Sequence, residues 1–213
     1  MSQKFDAIFQ QIEKVRIVPV VAINDAADTV PLCNALIAGH IPCAEITFRT
    51  TAAPEAIKAA SKVPGMLVAA GTVLSIDQAK KAVDCGASFI VSPGFSPKVV
   101  EWCQKNDVLI VPGIATPTDL QMAVDFGLTT VKFFPAENYG GLKTLKALAA
   151  PYTMMRFMPT GGISAANIRD YLGFKKIIAC GGSWMVKSDL IADKKFAEIT
   201  RLAQEAVDLI KDL

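Results

Sequence analysis

Short apolar runs alternate along the chain with amphipathic runs in a regular order. The apolar runs are rich in β-branched residues, as buried parallel strands are, and they cover 17–23, 43–47, 66–70, 88–92, 108–112, 130–134, 154–159 and 176–180. The amphipathic runs predict helices over 3–14, 25–38, 53–62, 76–85, 97–105, 117–126, 141–149, 164–172 and 189–212. Strands that alternate with helices in this way predict a parallel α/β protein.

The even spacing of the strand–helix units favours one closed (β/α)8 TIM barrel over residues 1–213, with an extra amino-terminal helix. No linker or low-complexity segment divides the chain, so a single domain is expected. The alternative is an open, doubly wound parallel sheet, which has the same order of elements. In both folds the carboxyl ends of the strands form one edge, and that edge is where active sites lie.

Composition narrows the functional classes. Hydrophobic residues make up 52% of the chain and charged residues 20%, which is enough apolar material to fill a core. Lys and Arg total 22 against 20 Asp and Glu, and the basic residues are scattered, so nucleic acid is not an expected partner. No apolar run is long enough to cross a membrane. Five cysteines without C-x-x-C spacing, and no signal segment, predict a cytoplasmic protein with reduced thiols.

The single histidine limits the chemistry further. His40 falls in a predicted loop between a helix and a strand, which favours an ordinary surface role. A Ser-His-Asp triad would have to use this residue. A His-rich metal site is impossible, and no metal or other cofactor is expected.

A lysine stands within the predicted strand TVKFF, at position 132. Because alternate side chains of a strand share a face, Lys132 points inward if Val131 and Phe133 pack beneath the helices. An amine that is shielded from water can be uncharged, and an uncharged amine attacks a ketone to form a Schiff base. The same alternation directs Glu45 of CAEIT inward as the acid/base partner. The alternative is a purely structural ion pair.

Two further features suit an anionic substrate. Arg49 follows the strand of Glu45, and its guanidinium matches a carboxylate or phosphate. The glycines of PTGGIS (159–164) and CGGSW (180–184) expose backbone N–H groups after the last two strands, with Ser164 predicted to begin a helix behind them. The alternative is that these glycines only permit tight turns. Together the features favour cleavage of a carbon–carbon bond in a phosphorylated 2-keto acid.

A set of motifs carries a family resemblance, in the order AEITFRT, AGTVL, SPGF, PGIATPTD, VKFFPAE, PTGGIS and CGGSW. The chain resembles the 2-keto-3-deoxy-6-phosphogluconate (KDPG) aldolase and 4-hydroxy-2-oxoglutarate (KHG) aldolase family from about residue 16 to 187. The resemblance implies a (β/α)8 barrel, a homotrimer and a class I (Schiff-base) mechanism. It also implies cleavage of KDPG to pyruvate and glyceraldehyde 3-phosphate in the Entner–Doudoroff pathway, with activity on KHG.

The motifs also carry over residue roles. Lys132 resembles the Schiff-base lysine and Glu45 the general acid/base. Arg49 and Thr72 resemble the residues that hold the pyruvyl carboxylate, with Thr160 nearby. Pro93 and Phe134 resemble the walls of the pocket. The phosphate site is matched by Gly161, Gly162, Gly182 and Ser183. Arg16 matches a basic residue near the pocket.

Three other functions remain open from the sequence. One is an aldolase of the phosphogalactonate type. A second is a phosphate-binding barrel isomerase or decarboxylase in which Lys132 acts only as an acid. The third is a sugar-phosphate-binding barrel without catalytic activity.

Overall fold

The computed structural model describes residues 3–213. Its helices are α1 (Gln3–Val15), α2 (Thr29–Ala38), α3 (Ala53–Ala60), α4 (Ile76–Asp84), α5 (Pro97–Lys105), α6 (Pro117–Asp125), α7 (Gly141–Ala149), α8 (Ile168–Leu172), α9 (Ser188–Ala192) and α10 (Phe196–Asp208). Its strands are β1 (Ile17–Val21), β2 (Cys43–Thr47), β3 (Leu67–Gly71), β4 (Phe89–Val91), β5 (Ile110–Val111), β6 (Gly113–Ile114), β7 (Thr130–Phe133), β8 (Arg156–Pro159) and β9 (Cys180–Gly182). Short 3-10 helices cover Ala26–Asp28 and Glu137–Tyr139.

The strands form a curled, parallel α/β sheet structure. Six strands pair in the order β5-β4-β3-β2-β1-β9, and three pair in the order β6-β7-β8. All of the pairings are parallel, as the alternation of strands and helices predicts. The carboxyl ends of the strands therefore lie at one edge, which confirms the α/β class.

Several predicted boundaries are wrong, each for a local reason. Within the run 108–112, only Ile110 and Val111 form a strand. Pro112, which has no N–H to donate, separates this strand, β5, from β6. The run 164–172 becomes helical only at Ile168. The run 189–212 is two helices, because Lys194 has a positive φ of 55° between α9 and α10.

Two layers of apolar side chains cover the two faces of the strands. The outer layer lies between strands and helices and includes Ala44, Ile46, Val131 and Phe133, as the alternation predicts. The inner layer packs on α1, whose buried residues are Ile8, Phe9 and Ile12. Cys43 precedes Glu45 on the inner face of β2, so Glu45 lies nearer than Cys43 to the carboxyl end of the strand.

Ile12 of α1 belongs to the inner layer and is 0% exposed. Replacing Ile12 with alanine is expected to lower the free energy of unfolding by about 2–5 kcal/mol, since it removes buried apolar surface and leaves a cavity. Urea denaturation measures this change. Gln10→Ala, at an exposed position of the same helix, is the control and should change the stability by under about 0.5 kcal/mol. An equal, small effect in both variants would show that α1 does not contribute to the core.

The five cysteines are buried, and none of them forms a disulfide within residues 3–213. Burial raises the pKa of the Cys33 thiol to about 11 and that of Cys103 to about 12. These thiols therefore stay protonated at neutral pH and are poor nucleophiles. Among the described residues, no helix has both the length and the hydropathy needed to cross a bilayer.

Candidate active site

A lysine and a glutamate from different strands meet inside the curled sheet. The Lys132 Nζ of β7 donates hydrogen bonds to Glu45 of β2, at 3.1 Å from Oε1 and 3.4 Å from Oε2. Only 6% of the Lys132 side chain and 1% of the Glu45 side chain are exposed. A buried charge is costly without a partner, so each side chain stabilises the other in this position. The arrangement places an amine within proton-transfer distance of a carboxylate.

The neighbouring strand leaves room for the glutamate. A Cβ atom added to Gly71 of β3 would lie 2.3 Å from Glu45 Oε1, so a larger residue there would displace the Glu45 side chain. Cys43 lies two residues before Glu45 on the same face of β2. Burial, and then the negative charge of Glu45, raise the pKa of the Cys43 thiol to about 12. Cys43 is therefore an uncharged neighbour that does not compete with Glu45 for the lysine.

Arg49 and Thr72 lie at the carboxyl edge next to this pair. Arg49 is exposed, and its Nε donates to Thr47 Oγ1 at 3.0 Å. The Thr47 hydroxyl in turn donates to the Val21 carbonyl at 2.8 Å, which fixes the direction of the arginine. Thr72 has a φ of 56°, which is rare for a β-branched residue. Such a backbone conformation is unfavourable by itself and persists only where the surrounding structure stabilises it. Both side chains belong to the edge that the sequence predicts for substrate binding.

Phe134 and Pro93 form two further parts of the edge. The Lys132 Nζ lies 5.2 Å from the centroid of the Phe134 ring, close enough for a cation–π contact. A Cβ atom on Gly113, the neighbour of Lys132 on β6, would lie 2.1 Å from the Pro93 carbonyl oxygen. The missing side chain of Gly113 thus lets the backbone around Pro93 approach the strand of the lysine.

The carboxyl ends of β8 and β9 supply the predicted glycines. Gly161 and Gly162 both have positive φ, at 99° and 80°. The Thr160 hydroxyl is buried and has no hydrogen-bond partner in the described part of the chain. The Thr160 hydroxyl occupies the space that a side chain at position 181 would need, since a Cβ atom on Gly181 would lie 2.3 Å from Thr160 Oγ1. A buried hydroxyl without a partner can bind a ligand at this end.

The second glycine segment differs from the first in its surroundings. Gly182 is buried beneath the Trp184 ring, since a Cβ atom on it would lie 2.0 Å from Trp184 Cζ3. Ser183 between them is exposed at the edge. The Ser164 N–H is not available to a ligand, because it donates to Asn167 Oδ1 at 2.9 Å. The helix behind the glycines begins at Ile168 with Asn167 as its N-cap, so Ser164 does not begin it as predicted.

Arg16 is the one predicted site residue that the structure places elsewhere. It precedes β1, so it lies at the amino end of a strand whose carboxyl end belongs to the site. Its guanidinium donates to the Leu172 carbonyl at 2.9 Å and the Leu213 carbonyl at 3.0 Å. It lines a separate cavity of about 670 Å³ near His40. Arg16 thus lies at the opposite end of β1 from the edge that holds Arg49 and Thr72, whereas the resemblance implies a position near the pocket.

The comparison with known proteins decides the family. A family model of the KDPG and KHG aldolases matches residues 8–202. A 2-dehydro-3-deoxy-phosphogluconate aldolase from Treponema pallidum is 48% identical over 204 residues, 95% of this chain and 97% of that protein. The chain belongs to the KDPG and KHG aldolase family.

Two solved structures of KDPG aldolases are similar to the chain in fold. The Zymomonas mobilis enzyme with 3-phosphoglycerate is 40% identical, with a TM-score of 0.88 over 93% of this chain and 94% of that one. The Legionella pneumophila enzyme, with pyruvate captured at low pH as a covalent carbinolamine intermediate, is 33% identical. Its TM-score is 0.90 over 93% of this chain and 97% of that one.

Sequence reasoning missed two residues of this aldolase-family site. Thr47 is on the inner face of β2 and orients Arg49, and Gly71 gives Glu45 its space. The alternation of β2 could have identified Thr47, since it shares a face with Glu45. The contact of Gly71 depends on the register of β3 against β2, in which Thr47 pairs with Gly71. That register cannot be read from one strand.

Replacing Gly71 with alanine is expected to reduce kcat/KM by about 100-fold or more. The new methyl group displaces the Glu45 carboxylate, and a small misplacement of a reacting group lowers the reaction rate strongly. Steady-state kinetics with KDPG measures the change. Gly173→Ala is the matched control, because a Cβ atom there meets only ordinary contacts at 3.4 Å and φ is −67°. Full activity of Gly71→Ala would show that the position of Glu45 is not critical.

Proposed function

We propose that the protein is a class I aldolase that cleaves KDPG to pyruvate and glyceraldehyde 3-phosphate. The observation that carries this proposal is the buried Lys132–Glu45 pair, with 3.1 Å between Nζ and Oε1. A lysine amine held beside a carboxylate has the nucleophile and the proton carrier that Schiff-base chemistry needs. The carbinolamine in the Legionella pneumophila relative supports a covalent mechanism in the family.

The first half of the reaction joins substrate and enzyme. Glu45 takes a proton from Lys132, and the neutral Nζ attacks the C2 carbonyl carbon. Glu45 gives this proton to the former carbonyl oxygen and takes a second proton from the nitrogen, which forms the neutral carbinolamine. Glu45 then returns a proton to the carbinolamine oxygen, which leaves as water and gives an iminium ion. The positive iminium nitrogen attracts the electron pair of the C3–C4 bond.

The second half releases the two products. A base, which we propose is Glu45, takes the proton of the C4 hydroxyl, the C3–C4 bond breaks, and glyceraldehyde 3-phosphate leaves. The electron pair remains on the enzyme as an enamine, which is protonated at C3 to give the pyruvyl iminium. Water adds to C2 of this iminium, and collapse of the carbinolamine releases pyruvate and Lys132.

The edge residues suit the two ends of the substrate. We propose that Arg49 and Thr72 bind the carboxylate, with Thr160 nearby, and that Pro93 and Phe134 form the walls of the pocket. The glycines at the ends of β8 and β9, with Ser183, would bind the phosphate through backbone N–H groups and a hydroxyl. KHG has the same 2-keto-4-hydroxy acid unit without phosphate, so we propose that it is also cleaved, to pyruvate and glyoxylate.

Assays with both substrates test this function. Purified protein incubated with KDPG should release pyruvate and glyceraldehyde 3-phosphate in equal amounts, and a coupled dehydrogenase assay measures each product. An isomerase or decarboxylase would not release pyruvate together with glyceraldehyde 3-phosphate. A binding protein without catalytic activity would be stabilised by KDPG but would not consume it. The phosphogalactonate isomer, assayed in parallel, should be the poorer substrate.

We infer that the two sheets belong to one closed (β/α)8 barrel and that residues 1–213 form one domain. Only Pro112 separates β5 from β6, and single parallel bridges join Phe157 to Ile177 and Thr160 to Gly181. These contacts link the three-stranded sheet to the six-stranded sheet on both sides. A cytoplasmic homotrimer that acts in the Entner–Doudoroff pathway is the expectation from the family. Light scattering would test it, with a mass three times the chain mass of 22.7 kDa as the expected result.

A further inference from the structure

Glu137 follows the strand of the catalytic lysine and contacts the turn formed by Gly161 and Gly162. Two backbone hydrogen bonds join these segments, from the Ala136 N–H to the Thr160 carbonyl at 2.8 Å and from the Glu137 N–H to the Gly161 carbonyl at 3.1 Å. The loop after β7 and the turn after β8 are therefore one connected unit. A shift of Glu137 would move the turn as well.

The side chain of Glu137 occupies the space that a side chain of Gly162 would need. A Cβ atom on Gly162 would lie 2.6 Å from Glu137 Cβ and 2.5 Å from Glu137 Cγ. Gly162 also has a φ of 80°, which favours glycine. The stem of the glutamate and the backbone of the turn are thus in direct contact.

A buried tyrosine holds the other end of the same side chain. The Tyr171 hydroxyl, on α8, donates to Glu137 Oε1, and Tyr171 is only 2% exposed. The carboxylate lies beside Gly141, where a Cβ atom would be 2.8 Å from Glu137 Oε1. Burial, and then the hydrogen bond to Glu137, raise the pKa of the Tyr171 hydroxyl, so it remains a donor at neutral pH. The tyrosine therefore holds one carboxylate oxygen of Glu137 next to Gly141.

We propose that Glu137 and Tyr171 are a positioning pair that shapes the Gly161–Gly162 turn for the phosphate group of the substrate. The proposal rests on the proposed aldolase function. Neither residue takes part in the reaction at Lys132. Without the tyrosine hydroxyl, the Glu137 carboxylate is free to rotate toward the turn, where it would repel a phosphate dianion and disturb the backbone that binds it. The pair would thus contribute to the preference for phosphorylated substrates.

The variant Tyr171→Phe tests the proposal, because it removes one hydroxyl and keeps the buried ring. KM for KDPG should rise about tenfold, the size expected for losing one hydrogen bond to a charged group, with kcat within about twofold of the wild type. The kcat/KM for KHG and the rate at which pyruvate and borohydride modify the protein should not change, since neither molecule has a phosphate. Glu137→Gln, which keeps an acceptor oxygen for the tyrosine, should retain most of the affinity for KDPG.

Tyr152→Phe is the matched control, because it removes a hydroxyl that donates to the Pro117 carbonyl at 3.0 Å outside this unit. It should leave the kinetics with both substrates unchanged. If Tyr171→Phe does not fold, Glu137→Ala tests the packing of the turn alone, because it removes the side chain that contacts Gly162 and leaves no carboxylate to repel the phosphate. In this variant KM for KDPG should rise and kcat/KM for KHG should not change. An unchanged KM for KDPG, or an equal loss with KDPG, KHG and pyruvate, would overturn the proposal. A wild type that cleaves neither substrate and forms no pyruvate adduct would instead refute the proposed function.

Discussion

Replacing Lys132 with alanine is expected to lower KDPG cleavage by about 10⁴-fold or more. The Lys132 amine forms the covalent bond with the substrate in the proposed mechanism, and removing such a nucleophile abolishes the covalent route. The measurement is kcat with KDPG, with circular dichroism to confirm that the variant is folded. Lys143→Ala, at an exposed position on α7, is the control and should keep full activity.

The Lys132→Ala variant leaves the buried Glu45 without its partner, which destabilises the fold by several kcal/mol if the carboxylate stays charged. The double variant Lys132→Met/Glu45→Gln removes both charges at similar volume and should restore stability without restoring activity. Activity above about 1% of the wild type in a folded Lys132 variant would contradict the covalent mechanism.

Replacing Glu45 with glutamine is expected to reduce kcat by about 100-fold to 10⁴-fold, which is the range for losing a general acid/base. The amide has nearly the same shape and keeps an acceptor oxygen for Lys132, so the lysine should remain in place. The decisive comparison is between turnover and trapping. KDPG cleavage should fall strongly, while pyruvate and borohydride should still modify the protein slowly.

Glu55→Gln provides the control for the Glu45 variant, since Glu55 is exposed on α3 and lies outside the site. A Glu45→Gln variant with wild-type kcat would mean that Glu45 only pairs with Lys132 and that another group moves the protons. A variant that neither cleaves KDPG nor forms an adduct, although folded, would mean that Glu45 is already required for the attack on the ketone.

The features that were predictable from the sequence are those that depend on neighbours along the chain. The two-residue period of a strand places Lys132 on the face opposite Val131 and Phe133, and the contact with Glu45 and the outer apolar layer agree with it. The boundaries of α10 were not predictable, because a charged face looks the same along one long helix and along two helices separated by a turn.

The contacts between distant segments were beyond sequence reasoning. Glu137 and Tyr171 are 34 residues apart and meet only because α8 packs beside the loop after β7. The fit of Gly71 against Glu45 depends on how β3 pairs with β2. A position of Arg16 near the pocket is implied by the resemblance alone, whereas the direction of β1 puts this residue at the opposite end of the strand from Arg49 and Thr72.

Trapping with pyruvate and borohydride tests whether Lys132 forms a Schiff base with the substrate. Borohydride reduces an iminium to a stable amine, so the intact mass should increase by one reduced pyruvyl group, and peptide mapping should place it on Lys132. Omitting pyruvate, or using the Lys132→Ala variant, should give no adduct. A folded, unmodified wild-type protein, or an adduct on a different lysine, would contradict the assignment of Lys132 as the Schiff-base residue.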